Sequence, residues 1–390
     1  MDEYESRWNH ALAELREKRL FRSLRPVVRL PDARVRFDDG LVLVDFSSND
    51  YLGLSHHPEM IAAAQDYAQR FGAGAGASRL VSGNLAPTEE IERKLARAKK
   101  TQAALVFVSG AQANLTLLPA LLDKKVLGAE PLVYADKLNH ASLIQGCIAA
   151  GVKQIRFRHN DLAHLASLLE RDSGENRPRF IITESVFSMD GDGPDINALS
   201  ALAEKFDAFL YIDEAHATGV LGDNGFGLAC GLKNALIMGT FSKGLGGFGG
   251  YVACSEVLRD YLINRCGGLI YATALPPSVL GTMNMALDLV PKMADERRYL
   301  QAMAALLRDK LQQAGFNTGA STTQIIPLIL EDEALCINLS KRLEQDGFCT
   351  VAIRPPTVPT GTSRLRLTLS ALHREADIQA LVDSITSFCR

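Results

Sequence analysis

The chain has 390 residues, of which 47% are hydrophobic and 22% charged, and its formal net charge is −3. That length exceeds one typical domain and leaves room for a large core with a smaller appended unit. The composition is that of an ordinary globular protein, and the slight negative charge offers no basic field for nucleic acid or an anionic membrane, so a small-molecule partner is favoured.

The seven cysteines, Cys147, Cys230, Cys254, Cys266, Cys336, Cys349 and Cys389, are scattered and never form a CxxC pair. This argues for reduced thiols in a cytoplasmic compartment, against a disulfide scaffold and against a zinc site, so no metal is expected. No apolar run approaches membrane-spanning length, and residues 1–20 lack the apolar centre of a signal peptide. Neither export nor membrane anchoring is expected.

Along the chain, Trp8, Leu12, Leu15, Leu20 and Leu24 fall near helical spacing among charges, which predicts an amphipathic arm over residues 8–24. Arg22 and Arg25 lie just before Pro26. They serve either as a solvated helix end or as an anion hook for a carboxylate substrate. Leu41 to Val44 predicts a short strand after an Asp-Asp-Gly turn, and it leads into the polar run Asp45 to Leu54, whose side chains suit turns and caps. Phe71 to Gly83 is rich in glycine and alanine and has neither strand nor helix period. Such a segment is a flexible linker or a place where backbone approaches a ligand or a second subunit closely.

An alternating pattern then begins. Apolar strands are predicted at Leu105–Val108, Leu132–Ala135, Arg179–Thr183, Phe209–Ile212 and Ala235–Met238, with helical segments between them such as 162–170 and 196–206. Polar groups cluster where each strand ends: Ser109-Gly110-Ala111, Asp136 to His140, Glu184 to Asp192, Asp213 to His216, and Gly239 to Gly247. This argues for a mostly parallel sheet with its ligand at the carboxyl edge. A further strand is expected at Gly250–Ser255 and another over Ile270–Leu275, stopped by Pro276 and Pro277, after which a long helix begins near Ser278. The division expected is an arm over residues 1–45, a large unit over 46–281 and a small α/β unit over 282–390 with strands at 325–330, 349–353 and 364–369. In the last of these Arg364 and Arg366 share one face, which is either solvent or a cleft where a guanidinium could grip a carboxylate.

Three of these strand ends suggest one chemistry. Lys243 sits on a glycine-rich loop, and a lysine desolvated there has a lowered pKa and can form a Schiff base with a carbonyl. Asp213 ends an apolar strand, where it either caps a turn or keeps a pyridine nitrogen protonated. The turn at Gly110 offers backbone N–H groups to a phosphate. Pyridoxal phosphate meets all three demands.

Taken in order, Ser109 to Asn114, Asn139-His140-Ala141-Ser142, Ser185 to Asp192, Asp213 to Gly219 and Thr240-Phe241-Ser242-Lys243-Gly244 resemble the α-oxoamine synthases, over a span from about Asp45 to the C-terminus. The resemblance implies a fold-type I pyridoxal phosphate transferase. Such an enzyme has a large domain with a mostly parallel sheet and a smaller C-terminal α/β domain, and it joins an amino acid to an acyl thioester with loss of carbon dioxide. It implies that Lys243 holds the cofactor and moves the α-proton, that Asp213 pairs with the ring nitrogen, and that His216 and Ser188 meet the ring hydroxyl. It further implies that His140 stacks on the ring and that Gly110, Ala111 and Thr240 hold the phosphate. Thr273 would reach the phosphate of a neighbouring subunit, which implies a homodimer. Asn49, Arg366 and His140 would orient the amino-acid carboxylate, with Arg22 and Thr357 as contacts for the acyl substrate.

Within the family, residues 353–369 and 46–54 look most like the member that takes L-alanine and a pimeloyl thioester, carried on CoA or on an acyl carrier protein. Glycine with a short acyl-CoA, or serine with a long one, are the alternatives. Three positions depart from the pattern: Ala111 where relatives are often aromatic, Ser242 where some have glycine, and Pro87-Thr88 where a histidine is often found.

Overall fold

The computed structural model describes residues 2–18 and 20–389. Near the N-terminus, strands β1 (Val27–Leu30), β2 (Arg34–Phe37) and β3 (Val42–Asp45) pair antiparallel in sequence order. The large sheet follows, with β4 (Ala103–Phe107), β5 (Leu132–Asp136), β6 (Gln154–Phe157), β7 (Arg179–Glu184), β8 (Ala208–Asp213), β9 (Ala235–Thr240) and β10 (Gly250–Cys254). Their spatial order is β4-β10-β9-β8-β7-β5-β6. Only β10 runs against its neighbours; the other pairings are parallel.

These strands are apolar throughout because both faces of the sheet are covered. Leu105, Val133, Ile182, Tyr211, Leu236, Met238 and Val252 pack into one buried cluster. Their neighbours one residue along, among them Val106, Tyr134, Ile181, Ile212, Ile237 and Tyr251, pack into the other. The period of two along each strand produces this division. Parallel pairing also delivers Asp136, Glu184, Asp213 and Thr240 to one edge, with Glu184 directly beside Asp213 in register.

Beyond the helix Pro277–Leu289, β11 (Ile325–Glu331), β13 (Val351–Ile353) and β14 (Ser363–Thr368) form a second sheet in the order β11-β14-β13. The short strand β12 (Phe348–Cys349) instead pairs parallel with β3. The single strand expected over residues 349–353 is therefore two, and each half belongs to a different sheet.

Two other expectations change. Residues 270–275 form no strand: Gly267–Ile270 is a helical turn, and Thr273 makes only an isolated bridge to Ser78. In the arm the helix covers Glu3–Glu17 and buries no residue, and Leu24 lies beyond it fully exposed. Propensity and capping by Asp2 start that helix, but no face of it meets the core. Among the described residues no helix is long and apolar enough to cross a membrane.

Candidate active site

Strand β9 ends at Thr240, and the chain then turns through a tight loop before re-entering the sheet at β10. The loop is closed by its own backbone, with Phe241 N–H donating to Gly249 O at 2.9 Å, Gly247 N–H to Phe241 O at 2.8 Å and Gly246 N–H to Lys243 O at 2.9 Å. Gly246 has φ of 64°, and a Cβ there would stand 2.3 Å from Leu54 Cβ, so the turn demands glycine. It aims Lys243 back over the carboxyl edge of the sheet.

The Lys243 amine lies 2.7 Å from His216 Nε2. Crowding by protein lowers its pKa to about 8 in spite of the nearby charges of Asp213 and Glu184. His216 is buried, and burial together with the charge of Lys243 pulls its pKa well below the ordinary value. Its Nδ1 is 2.6 Å from the hydroxyl of Tyr51, which donates to Asn49 Oδ1 at 3.1 Å. Arg366 donates to the same Asn49 oxygen at 3.0 Å, and its Nε donates to Ser188 O. Arg364 beside it bonds Asp190 and Met189 O. The face shared by the two arginines is therefore buried against residues 188–190 and not solvent.

Asp213, 4% exposed, accepts from Ala215 N–H at 2.9 Å and from Asn114 Nδ2 at 3.0 Å. Next to it the carboxyl of Glu184 is pushed well above the usual carboxylate range by burial and then by the charge of Asp213. Glu184 Oε1 accepts the backbone N–H of His140 at 2.5 Å, which fixes the turn carrying that histidine. His140 caps the helix Ala141–Ala149 and keeps much of its ring exposed. Partial burial holds its pKa below the ordinary value.

Gly110 and Ala111 begin the helix Gly110–Leu121, whose cap Ser109 accepts from Gln112 N–H. The first helical N–H groups have no intrahelical acceptor and lie at the positive end of the helix dipole, which suits a phosphate. The Thr240 hydroxyl meets Gly249 O at 2.7 Å and Ser242 Oγ at 3.1 Å. An amine whose pKa is lowered to about 8, a buried carboxylate and a helix N-terminus on one sheet edge match the aldehyde, ring nitrogen and phosphate of pyridoxal phosphate.

Lys243, His216, Asn49, Arg366 and Ser188 thus form one hydrogen-bonded set, and Asp213 and His140 a second joined through Asn114 and Ser142, with the charges of Lys243 and Asp213 acting across the two. Gly110, Ala111 and Thr240 stand together at the same sheet edge, while three other expected residues join neither set. Arg22 and Thr357 are exposed, the latter on the loop between β13 and β14. Thr273 is exposed at its bridge to Ser78. Sequence reasoning assigned no role to Tyr51, Asn114, Ser142 or Glu184. Glu184 carried a legible signal, an acid ending an apolar strand; Tyr51 and Asn114 sat in quoted turns whose partners only the fold supplies.

The chain belongs to the aminotransferase class I and II family, whose sequence model matches residues 42–385. It is 50% identical to the 8-amino-7-oxononanoate synthase of Gluconacetobacter diazotrophicus, over 100% of this chain and 98% of that one. A protein of Paramagnetospirillum magneticum that carries the same name provisionally is 59% identical over 93% of each chain. Among solved structures, that of SPT with its PLP internal aldimine superposes with a TM-score of 0.89 at 29% identity, covering 98% of this chain and 97% of that one.

Proposed function

We propose that this chain is a pyridoxal phosphate enzyme that joins L-alanine to a pimeloyl thioester, on CoA or on an acyl carrier protein, with release of the thiol and carbon dioxide. This is the reaction of 8-amino-7-oxononanoate synthase in biotin synthesis. The observation that carries it is the Lys243 amine, lowered to about 8 and hydrogen-bonded to His216 at the carboxyl edge of β8 and β9. The relatives at 50% and 59% identity support the choice of substrates.

When bound, the cofactor supplies an aldehyde that captures an amine and a charged ring that draws off the electron pair left by a departing proton. Asp213 would keep such a ring nitrogen protonated, and Gly110, Ala111 and Thr240 would hold the phosphate. The ring hydroxyl falls to His216 and Ser188, and the ring face to His140. Lys243, about half of it free amine near pH 8, takes the α-proton of the amino acid and later returns one to the product. Arg366, braced by Asn49 and Ser188 O, orients the carboxylate by charge and by the fork of its guanidinium. Arg22 and Thr357 are assigned to the acyl chain, with the Arg22 guanidinium matching the distal carboxylate.

We read the chain as an arm (residues 1–45), a cofactor-binding unit (46–281) and a C-terminal unit (282–390). The seven-stranded sheet lies wholly in the second and the β11-β14-β13 sheet wholly in the third, which supports the division between those two, while β12 ties the arm to the third through β3. We also propose a cytoplasmic homodimer in which Thr273 meets the phosphate of the partner. The exposure of Leu80, Val81 and Tyr271 around the Ser78 bridge to Thr273 supports that interface.

A second reading, serine with a long acyl thioester, draws on the backbone likeness to SPT. Purified protein supplied with each pair of substrates separates the two. Product from L-alanine and pimeloyl-CoA supports the first reading; product only from serine and palmitoyl-CoA refutes it.

A further inference from the structure

Behind the Asp213 carboxylate lies a chain of hydrogen bonds that runs in one direction. The Tyr211 hydroxyl donates to Asn114 Oδ1 at 2.7 Å. Asn114 Nδ2 then donates to Asp213 Oδ2 at 3.0 Å and to Ser142 Oγ at 2.9 Å. Ser142 Oγ is 2.7 Å from His140 Nδ1, and the Ser142 backbone N–H points to the same nitrogen at 3.2 Å.

The donors can be counted. An ionised carboxylate only accepts, so the Asn114 amide must turn its NH2 toward Asp213 and its oxygen toward Tyr211. The other amide hydrogen goes to Ser142 Oγ, so the serine's own proton is left to go to His140 Nδ1. That nitrogen also faces the Ser142 backbone N–H, a longer and weaker donor at 3.2 Å, so the two donors together favour a lone pair on Nδ1, with the hydroxyl the stronger of them. Asn114 is 1% exposed and Tyr211 and Ser142 are buried, so water does not compete for the bonds among Tyr211, Asn114, Asp213 and Ser142.

We propose that Asn114 is a positioning residue that ties the orientation of Asp213 to the tautomer of His140, holding the imidazole neutral with its hydrogen on Nε2. The group facing the reacting amino acid is then a donor, suited to a carboxylate oxygen, and its direction is set by an amide that touches neither substrate nor cofactor. This rests on the reading of the site given above.

The test uses the full-length holoprotein with ring-15N histidine, the His140 signals being assigned by their loss in His140→Gln. The wild type is expected to show a pyridine-type Nδ1 and a pyrrole-type, protonated Nε2 at His140. In Asn114→Asp the amide donor is gone and Ser142 turns to donate to the new carboxylate, which leaves only the longer backbone N–H on Nδ1, so both nitrogens are expected to move toward the intermediate shifts of a tautomer mixture. A fall in kcat of about tenfold to a hundredfold, the usual range for a residue behind a ligating group, should accompany it. Should Asn114→Asp not fold, Ser142→Ala decides: both nitrogens should move to the intermediate shifts of a tautomer mixture. A wild-type His140 protonated on Nδ1, or Ser142→Ala spectra identical to wild type, would overturn the proposal. The wild-type spectrum needs no turnover, so a chain that made no product from L-alanine and pimeloyl-CoA would refute the function and leave the tautomer result standing.

Discussion

The Lys243 amine and the His216 imidazole meet at 2.7 Å, nitrogen to nitrogen. The Tyr51 hydroxyl, which donates to Asn49, takes the Nδ1 hydrogen of His216 and leaves the Nε2 lone pair facing the lysine. A neutral imidazole in that place stabilises a positioned amine without adding a second positive charge.

This sets the pH dependence of cofactor capture. With the pKa of Lys243 near 8, each unit below that pH cuts the free amine about tenfold. The rate of pyridoxal phosphate uptake by cofactor-free protein, followed by absorbance, should rise about tenfold from pH 6 to 7 and level off above about pH 8. A rate still climbing toward pH 10 would show an ordinary solvated lysine.

Arg366 should respond to a change of shape at constant charge. Arg366→Lys keeps one positive charge but loses the fork that reaches Asn49 and Ser188 O together. The KM for the amino acid should rise about tenfold or more with the unfolding midpoint little changed. Equal KM values would remove Arg366 from the carboxylate site.

Stability should carry a separate pH signature from His159, which bonds Asp136 and Asp192 at 3.0 Å each. Burial alone would lower its pKa, but the bonds to the two carboxylates outweigh that and raise it to about 10. A folded pKa above the unfolded one means that the contribution is complete below about pH 6.5 and fades as pH rises through about 10. His159→Gln should therefore cost about 1–3 kcal/mol at pH 6. The gap to wild type should narrow at pH 10, as read by urea unfolding at both pH values.

The pair Lys99 and Glu214 is wholly buried, 2.7 Å apart, with the other Glu214 oxygen taking the N–H groups of Leu228 and Ala229. Lys99→Met would leave that carboxylate uncompensated and should cost about 3–5 kcal/mol. Adding Glu214→Gln should recover part of the loss. A double variant no more stable than the single would show that packing and not charge dominates there.

Much of this was legible in the sequence because it depended on local pattern. The strands of the large sheet are continuous apolar runs, and each ends on the polar residues that the fold gathers at one edge, so Lys243, Asp213 and His216 could be read together. Long-range pairing was not legible. Nothing local shows that Cys349 follows β3 while Val351 follows β14, or that Tyr51 lies against His216 across 165 positions. The strand expected at 270–275 failed for a related reason: an apolar run stopped by two prolines suits a strand, but the segment meets only an isolated bridge to Ser78 and one bond to Ala77 O.

The central claim is that Lys243 holds the cofactor covalently. Borohydride treatment of the purified protein, followed by proteolysis and peptide mass mapping, tests it most directly. A phosphopyridoxyl group is expected on Lys243 and should disappear in Lys243→Ala. Active protein in which Lys243 stays unmodified while another lysine carries the group would contradict it.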